Sequence, residues 1–520
     1  MLAQQFLEAS AARRPDSIAL ICGEERLSYT ELDLAANRFA RMLREHGIRR
    51  GDRVALLLDN SVEAVVAIFG ILKAGAVFSV LHPACKRDKL ASLLQSAEPA
   101  ALVTESHRVR EATDVLGACG SLAAVVWADD SPLPVDGSAT SLKWCDLEKY
   151  PSERPGCQAI DVDLATLIYT SGTTGEPKGV MVTHANIVAA TRMTIDYLHY
   201  TQDDVILCVL PLAHSYGLYQ IFEAFLLGGR VVLEKNFAFP ARAIGLLEHE
   251  GVTVFPGSPT IYALLLKYRN LLQRPLPSLH TLTNAASALP TSHIAQLRDM
   301  FPNVRIVSMY GQTECKRVCY LPADELDTHP DSVGVAIPNS EVYIVDQDGQ
   351  RLGPGETGEL VVRGSHVARG YWRAPELTAQ RFRPGPTPGE IVLHTGDLFR
   401  VDAQGLLYFI SRKDDIIKSR GEKVSPREVE NVVCQLPGVA EAAVVGVPDS
   451  VLGQAVLVAV TLQEQAHVTE RDIRAHCARH LEDFMQPKFV DIVADLPRTD
   501  NGKVNKRAIA AEFASLCAAS

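Results

Sequence analysis

The segment Tyr169-Thr-Ser-Gly-Thr-Thr-Gly-Glu-Pro-Lys-Gly179 concentrates groups that suit the oxygens of a polyphosphate. Gly172, Gly175 and Gly179 let the backbone approach a ligand closely. Ser171, Thr173 and Thr174 offer hydroxyls, and Lys178 offers a point charge. The lysine is followed by Gly rather than Ser or Thr, so this is not a Walker A loop. A flexible surface turn is the plainer reading of the same residues. The apolar runs 164–169 before it and 180–182 after it place the loop between two strands.

Four other clusters carry reactive groups. Met309-Tyr-Gly-Gln-Thr-Glu314 ends an apolar run with a ring, a glycine, a hydroxyl and a carboxylate. Thr395-Gly-Asp397 sets an acid where it could hold a ribose diol. Ser411-Arg-Lys-Asp-Asp-Ile-Ile-Lys-Ser-Arg-Gly421 is a densely charged turn. Leu496-Pro-Arg-Thr-Asp-Asn-Gly-Lys503 puts a lysine in a loop shaped by Pro and Gly. Taken singly, each could be a solvated turn.

The elements that must position these groups alternate along the chain. Residues 30–47 read as an amphipathic helix, with Leu32, Ala35, Ala36, Phe39, Met42 and Leu43 on one face and Gly47 as its stop. The apolar runs 54–58, 205–210, 230–233, 252–255 and 305–309 read as buried strands. Strands alternating with helices imply α/β layers with largely parallel sheets. From about residue 346 the texture turns to short strands between Gly-rich turns, a β-rich subdomain. Beyond 412 a compact α+β pattern follows, with helices at 429–433 and 471–480 and strands at 442–447 and 455–461.

Length and composition bound the answer. A chain of 520 residues implies two to four domains. Its 6% aromatic content and net charge of −11 disfavour nucleic acid and anionic membranes as partners. The 11 cysteines are scattered, which fits a reducing compartment better than a disulfide framework. Cys315 and Cys319 read as structural. The first 16 residues lack a basic-then-apolar leader, and the longest apolar run, 64–72, is too short to span a bilayer. The expectation is a cytoplasmic protein without a membrane span.

In their order and separations, the motifs resemble the adenylate-forming superfamily of acyl- and aryl-CoA synthetases, peptide-synthetase adenylation domains and luciferase. The resemblance covers nearly the whole chain. It begins at Leu27-Ser-Tyr-Thr-Glu-Leu-Asp33 and Leu72-Lys-Ala-Gly-Ala-Val-Phe78, continues through Gly358-Glu-Leu-Val-Val-Arg-Gly364 and Gly370-Tyr-Trp372, and ends at Lys503. It implies an AMP- and acyl-binding domain over 1–412, a hinge near Asp414, and a mobile C-terminal domain over 413–520. The implied cofactors are ATP and Mg²⁺, with CoA or phosphopantetheine as acyl acceptor.

The resemblance also assigns roles. Thr170, Ser171, Gly172, Thr173, Thr174, Gly175 and Lys178 would wrap the β- and γ-phosphates. Ala285, Ala286, Tyr310, Gly311 and Thr313 would complete the nucleotide site, with Tyr310 on the adenine. Glu314 would help hold Mg²⁺, and Asp397 would bind the ribose with Arg412 assisting. Lys503 would bridge the reacting carboxylate and the α-phosphate. Lys418 would act in a second conformation, with Gly421 bordering the pantetheine path. His214 matches a position beside the carboxylate and thiol channel. A lone histidine at an apolar strand end reads first as a core or gating residue, with direct catalysis as the sharper alternative. Members usually have Gly-Arg at the hinge motif, where this chain has Ser411-Arg412.

The same resemblance places His214, Ser215, Tyr216, Tyr219, Met309, Arg317 and Val318 around the acid. Ser215 stands where peptide-synthetase domains carry an aspartate for the α-ammonium, and a serine cannot pair a buried ammonium in that way. An acyl or aryl acid is therefore favoured over an α-amino acid. Arg317 could meet an anionic substituent, or could point to solvent or pair with a nearby acid. Three functions follow: a ligase forming an acyl-CoA; a free-standing adenylation enzyme loading a separate carrier protein; or a non-catalytic adenylate-binding relative. The retained Lys503, Glu314 and Asp397 count against the last.

Overall fold

The computed structural model describes the 520 residues apart from 136, 138, 157, 172–176, 286, 414, 420–421, 450–452, 500–501 and 520. The side chains of 171, 418, 422–423, 453 and 514–519 also lie outside the description. The chain divides into two compact units, Met1–Val342 with Val362–His394, and Tyr343–Val361 with Thr395–Ser520. Among the described residues, no helix is long and apolar enough to cross a membrane.

The larger unit is built on two α/β sheets. One runs Thr140–Lys143, Ala124–Trp127, Ala101–Thr104, Arg53–Leu57, Val77–Val80, Leu164–Ser171, Pro177–Thr183. Its strands are parallel except for the last, which turns back antiparallel. The other has nine strands, with Arg305–Tyr310, Thr281–Asn284, Val254–Gly257, Val205–Cys208 and Arg230–Leu233 as its parallel centre. Most of these centre strands are apolar runs, as expected where both faces of a parallel sheet are covered, while Thr281–Asn284 is buried with alternating threonines. The strand expected over 205–210 stops at Cys208, and Pro211 follows within the loop leading to His214.

Local chemistry sets the helices beside them. Tyr29–Glu45 starts one residue earlier than its pattern suggested, because Ser28 and Glu31 form a reciprocal capping box. Its buried face packs on Val62–Ala74, where Lys73 is 1% exposed. The Lys73 ammonium donates to Asp33 and Asn37 at 2.7 Å each and to Glu8 at 3.3 Å. The charge is thus carried into the core only with two carboxylates around it.

In the smaller unit, Asp397–Val401 of the strand Ile391–Val401 pairs antiparallel with Leu407–Arg412. A second sheet joins Ile417–Ser419, Gly453–Leu462, Val439–Asp449 and Phe489–Ile492. The helices Pro426–Cys434 and Glu470–His480 contribute Val429, Val433, Ile473 and Cys477 to its core. This is the α+β texture expected of the C-terminal stretch.

Candidate nucleotide and acyl site

In the larger unit, the phosphate-loop motif is a β-hairpin. Leu164–Ser171 and Pro177–Thr183 pair with Tyr169 opposite Gly179 and Thr170 opposite Lys178. Gly172, Thr173, Thr174 and Gly175 lie outside the described residues. Both arms are anchored to other parts of the same unit. The Tyr169 hydroxyl donates to Ser96 Oγ at 3.1 Å, and the Trp372 indole donates to the Ser96 carbonyl at 3.2 Å. The return strand is further paired through Met181 N to Gly370 O, 2.9 Å, and Trp372 N to Gly179 O, 2.7 Å.

That pairing puts Tyr371 beside Glu314. The Tyr371 hydroxyl donates to Glu314 Oε1 at 2.6 Å, and Ala368 N donates to the Glu314 carbonyl at 2.8 Å. Gly370 allows the bend: its φ is +124°, and a Cβ there would stand 2.3 Å from Thr378 Cγ2. Tyr371 itself carries no local sequence signal for this role. Gly370-Tyr-Trp372 was visible only as a stretch of resemblance, and the contact joins residues 57 apart.

Glu314 lies on a tight loop after Arg305–Tyr310. Val318 N returns to Tyr310 O at 2.9 Å, and a Cβ on Gly311 would sit 2.2 Å from Lys316 O. The close return of the backbone therefore demands glycine at 311. Tyr310 and Thr313 are partly buried at this loop, and Gln312 Nε2 donates to the Tyr310 hydroxyl at 3.1 Å. Ala285 is buried just past Thr281–Asn284, and Ala286 is outside the described residues.

Of the expected acyl residues, Tyr216 and Tyr219 meet the same loop through Arg317 and Lys316. His214 is the residue before the helix Ser215–Leu227, and its ring lies 5.4 Å from that of His82. Ser215 opens that helix, partly buried. Tyr216 is buried, with its hydroxyl 2.7 Å from the Thr283 carbonyl, and burial pushes its ionisation well above the ordinary range. Met309 is buried with its sulfur 2.9 Å from the Tyr197 hydroxyl, and Val318 is buried. Tyr219 lies under the Lys316 ammonium, 4.5 Å from its ring centre. Lys316, at φ +60°, forms a buried ion pair with Glu223 and donates to Thr194 at 2.8 Å. Burial lowers the Lys316 ammonium to about 8, against the opposing pull of Glu223. Arg317 is 4% exposed, with its guanidinium stacked 4.4 Å over Tyr216. It is buried from solvent, and among the described residues no carboxylate pairs with it.

The remaining candidates belong to the smaller unit. Asp397 is buried and faces Arg412 across the strand pair, with Arg412 Nε 3.4 Å from Asp397 Oδ1. Glu359, from the Gly358–Gly364 motif, accepts Gly396 N–H at 2.9 Å and lies 3.3 Å from Lys413 Nζ. It holds the Gly396 backbone and the Lys413 side chain next to that pair, with no local sequence signal to mark it. Ser411 sits in the extended strand Leu407–Arg412, buried opposite Leu398, so no glycine is needed there. Lys418 lies on Ile417–Ser419 with its side chain undescribed, and Gly421 and Asp414 fall outside the described residues. Lys503 is exposed at the close of a tight turn, where Thr499 N donates to Lys503 O at 2.7 Å.

A parallel-sheet unit bearing a hydroxyl- and glycine-rich hairpin, tied to a carboxylate loop and followed by a small α+β unit, defines an enzyme class that handles adenine nucleotides. The chain belongs to the AMP-binding enzyme family: residues 7–372 match that family, and residues 428–503 match the AMP-binding enzyme C-terminal domain. It is 30% identical to the long-chain-fatty-acid–CoA ligase of Bacillus subtilis, over 98% of this chain and 94% of that one. It is 29% identical to Gramicidin S synthase 2 of Brevibacillus brevis, over 97% of this chain but only 11% of that protein's length. Among solved structures it resembles the anthranilate CoA ligase AuaEII in complex with anthranoyl-AMP, with a TM-score of 0.90 and 26% identity over 100% of this chain and 98% of that one. Others it resembles are ATP-bound. The chain is thus a member of an ATP-using, AMP-forming ligase family.

Proposed function

We propose that this chain joins a carboxylic acid to the pantetheine thiol of CoA in two steps. In the first, the acid's carboxylate attacks the α-phosphorus of ATP, an acyl-adenylate forms and pyrophosphate leaves. In the second, the thiol attacks the acyl carbon, AMP leaves and the thiol proton passes to solvent. The observation that supports this most is the Tyr371–Glu314 contact, which ties the Glu314 carboxylate to the segment that pairs with the phosphate-loop hairpin.

Attack by one anion on another is slow unless charge is offset in a site of reduced dielectric. Glu314 fits Mg²⁺, since it offers a hard carboxylate oxygen oriented by a phenol. When bound, the metal would draw charge from the phosphates. Thr170 and Lys178, paired across the hairpin, would hold the β- and γ-phosphates, and Asp397 with Arg412 would hold the ribose. Lys503 would neutralise the reacting carboxylate and the α-phosphate. No strong base is required, because the carboxylate is already ionised near pH 7.

The thiol must approach from another direction. A swing of the C-terminal domain about a hinge near Asp414 would withdraw Lys503 and present Lys418 and Gly421. His214 would gate the thiol channel. Pyrophosphate exchange across a panel of acids, followed by thioester assays, tests the proposal. Exchange with an acid and thioester formation with CoA support it; exchange with no acid refutes it. The match to a peptide synthase favours a second reading, loading of a separate carrier protein. Activity with a holo carrier and none with CoA would select it.

A further inference from the structure

Buried charge around the acyl residues does not balance. Lys316 is 3% exposed, Arg317 4% and Glu223 0%. Glu223 pairs with Lys316 through Oε1 and makes no hydrogen bond to Arg317, so among the described residues these two buried cations have one ion-paired carboxylate between them. Among the described residues, the Arg317 guanidinium has a long contact from Nη1 to the Lys316 carbonyl, 3.4 Å, and its face on Tyr216. Its Nε is buried without a hydrogen-bond partner. The Tyr216 ring beneath it is fixed, because its hydroxyl is bound to Thr283. A guanidinium has five N–H donors in a rigid fork that fits a carboxylate, and burial without an anion is costly.

We propose that Arg317 is a specificity residue that binds a second carboxylate on the substrate acid, distant from the one that reacts. This rests on the acid-activating reading above. The substrate class is then a dicarboxylic acid, or a half-amide or half-thioester precursor's parent diacid, rather than a simple fatty acid. A monocarboxylate that gave its only carboxylate to Arg317 would have no nucleophile left for the α-phosphorus. An α-amino acid would bring an ammonium to a region that already holds excess positive charge.

The test is pyrophosphate exchange with paired acids. Aliphatic dicarboxylates from three to eight carbons and phthalate are each compared with their monomethyl esters. The proposal expects at least one diacid to exceed its ester in kcat/KM by about 10²-fold. Arg317→Gln should collapse that ratio toward one, and Arg317→Lys should retain part of it. Esters equal to or better than diacids in every pair would overturn the inference while leaving acid activation intact. An unchanged ratio in Arg317→Gln would also overturn it. Exchange with no acid at all would sink both readings. Should Arg317→Gln melt early, the wild-type ratios decide alone.

Discussion

The Tyr371 phenol donates to Glu314 across 2.6 Å, while the backbone on either side of Tyr371 is paired to the strand leaving the phosphate loop. A shift of that strand must therefore be felt at Glu314. Removing only the hydroxyl should loosen the carboxylate without emptying the core. Tyr371→Phe should raise KM for Mg-ATP and lower pyrophosphate exchange by about 10-fold, the usual worth of a hydrogen bond to a charged group. Glu314→Gln should cost more. Initial rates over an ATP series at fixed free Mg²⁺ check both, and an unchanged Tyr371→Phe would separate the contact from catalysis.

Asp397 and Arg412 make a parallel case in the smaller unit. Asp397→Asn keeps the shape but removes the charge facing Arg412. If the pair holds ribose hydroxyls, KM for ATP should rise about 10- to 100-fold with little change in KM for the acid. Equal effects on both constants would point to a folding defect instead.

Lys73 carries a prediction about stability alone. Lys73→Met leaves Asp33 in the core without its cation and leaves Glu8 only the half-exposed Arg154, 3.3 Å away. Breaking such a buried group by removing one partner costs about 3–5 kcal/mol. The urea midpoint should fall, and adding Asp33→Asn and Glu8→Gln should restore part of the loss. A lone Lys73→Met with wild-type stability would contradict the assignment.

Two buried histidines set an acid limit. Burial lowers His184 and His366 from 6.5 to about 4. His184 Nδ1 also accepts the Ala3 N–H at 3.2 Å, which requires its neutral form. Both stay neutral when folded and protonate readily when unfolded. Between pH 6.5 and 4 the unfolded chain binds more protons, so stability falls as pH drops through that window. Each site contributes a slope of about 1.4 kcal/mol per pH unit. His184→Asn can still accept from Ala3, and it should flatten the slope by one proton. Denaturant midpoints at pH 7, 5.5 and 4.5 measure the difference; an equal slope in the variant would rule His184 out.

Much of the fold was legible because it rests on short-range signals. The helix Tyr29–Glu45 shows a 3.6-residue period and a Ser-x-x-Glu cap, and many of the parallel strands are apolar runs, though Thr140–Lys143 and Thr281–Asn284 are not. The hairpin of the phosphate loop was legible from its flanking strands. What lay hidden was mostly long-range pairing. Nothing local marks Tyr371 as the partner of Glu314, or Glu359 as the holder of Gly396. Asp33 and Lys73 stood in segments of family resemblance without a visible role, and the structure makes them one buried ion pair. Arg317 was open to several readings because sequence does not report burial. Its 4% exposure, and the lack of a paired carboxylate among the described residues, count against the two plainer ones.

In the proposed cycle, Lys503 serves the first half-reaction alone. Lys503→Ala, assayed for acid-dependent pyrophosphate exchange and separately for thioester formation from a supplied acyl-adenylate and CoA, tests it most directly. The expected result is exchange reduced by at least about 10²-fold, the scale of losing a transition-state charge contact, with thioester formation near wild type. Equal loss of both half-reactions, or full exchange without the amine, would contradict it.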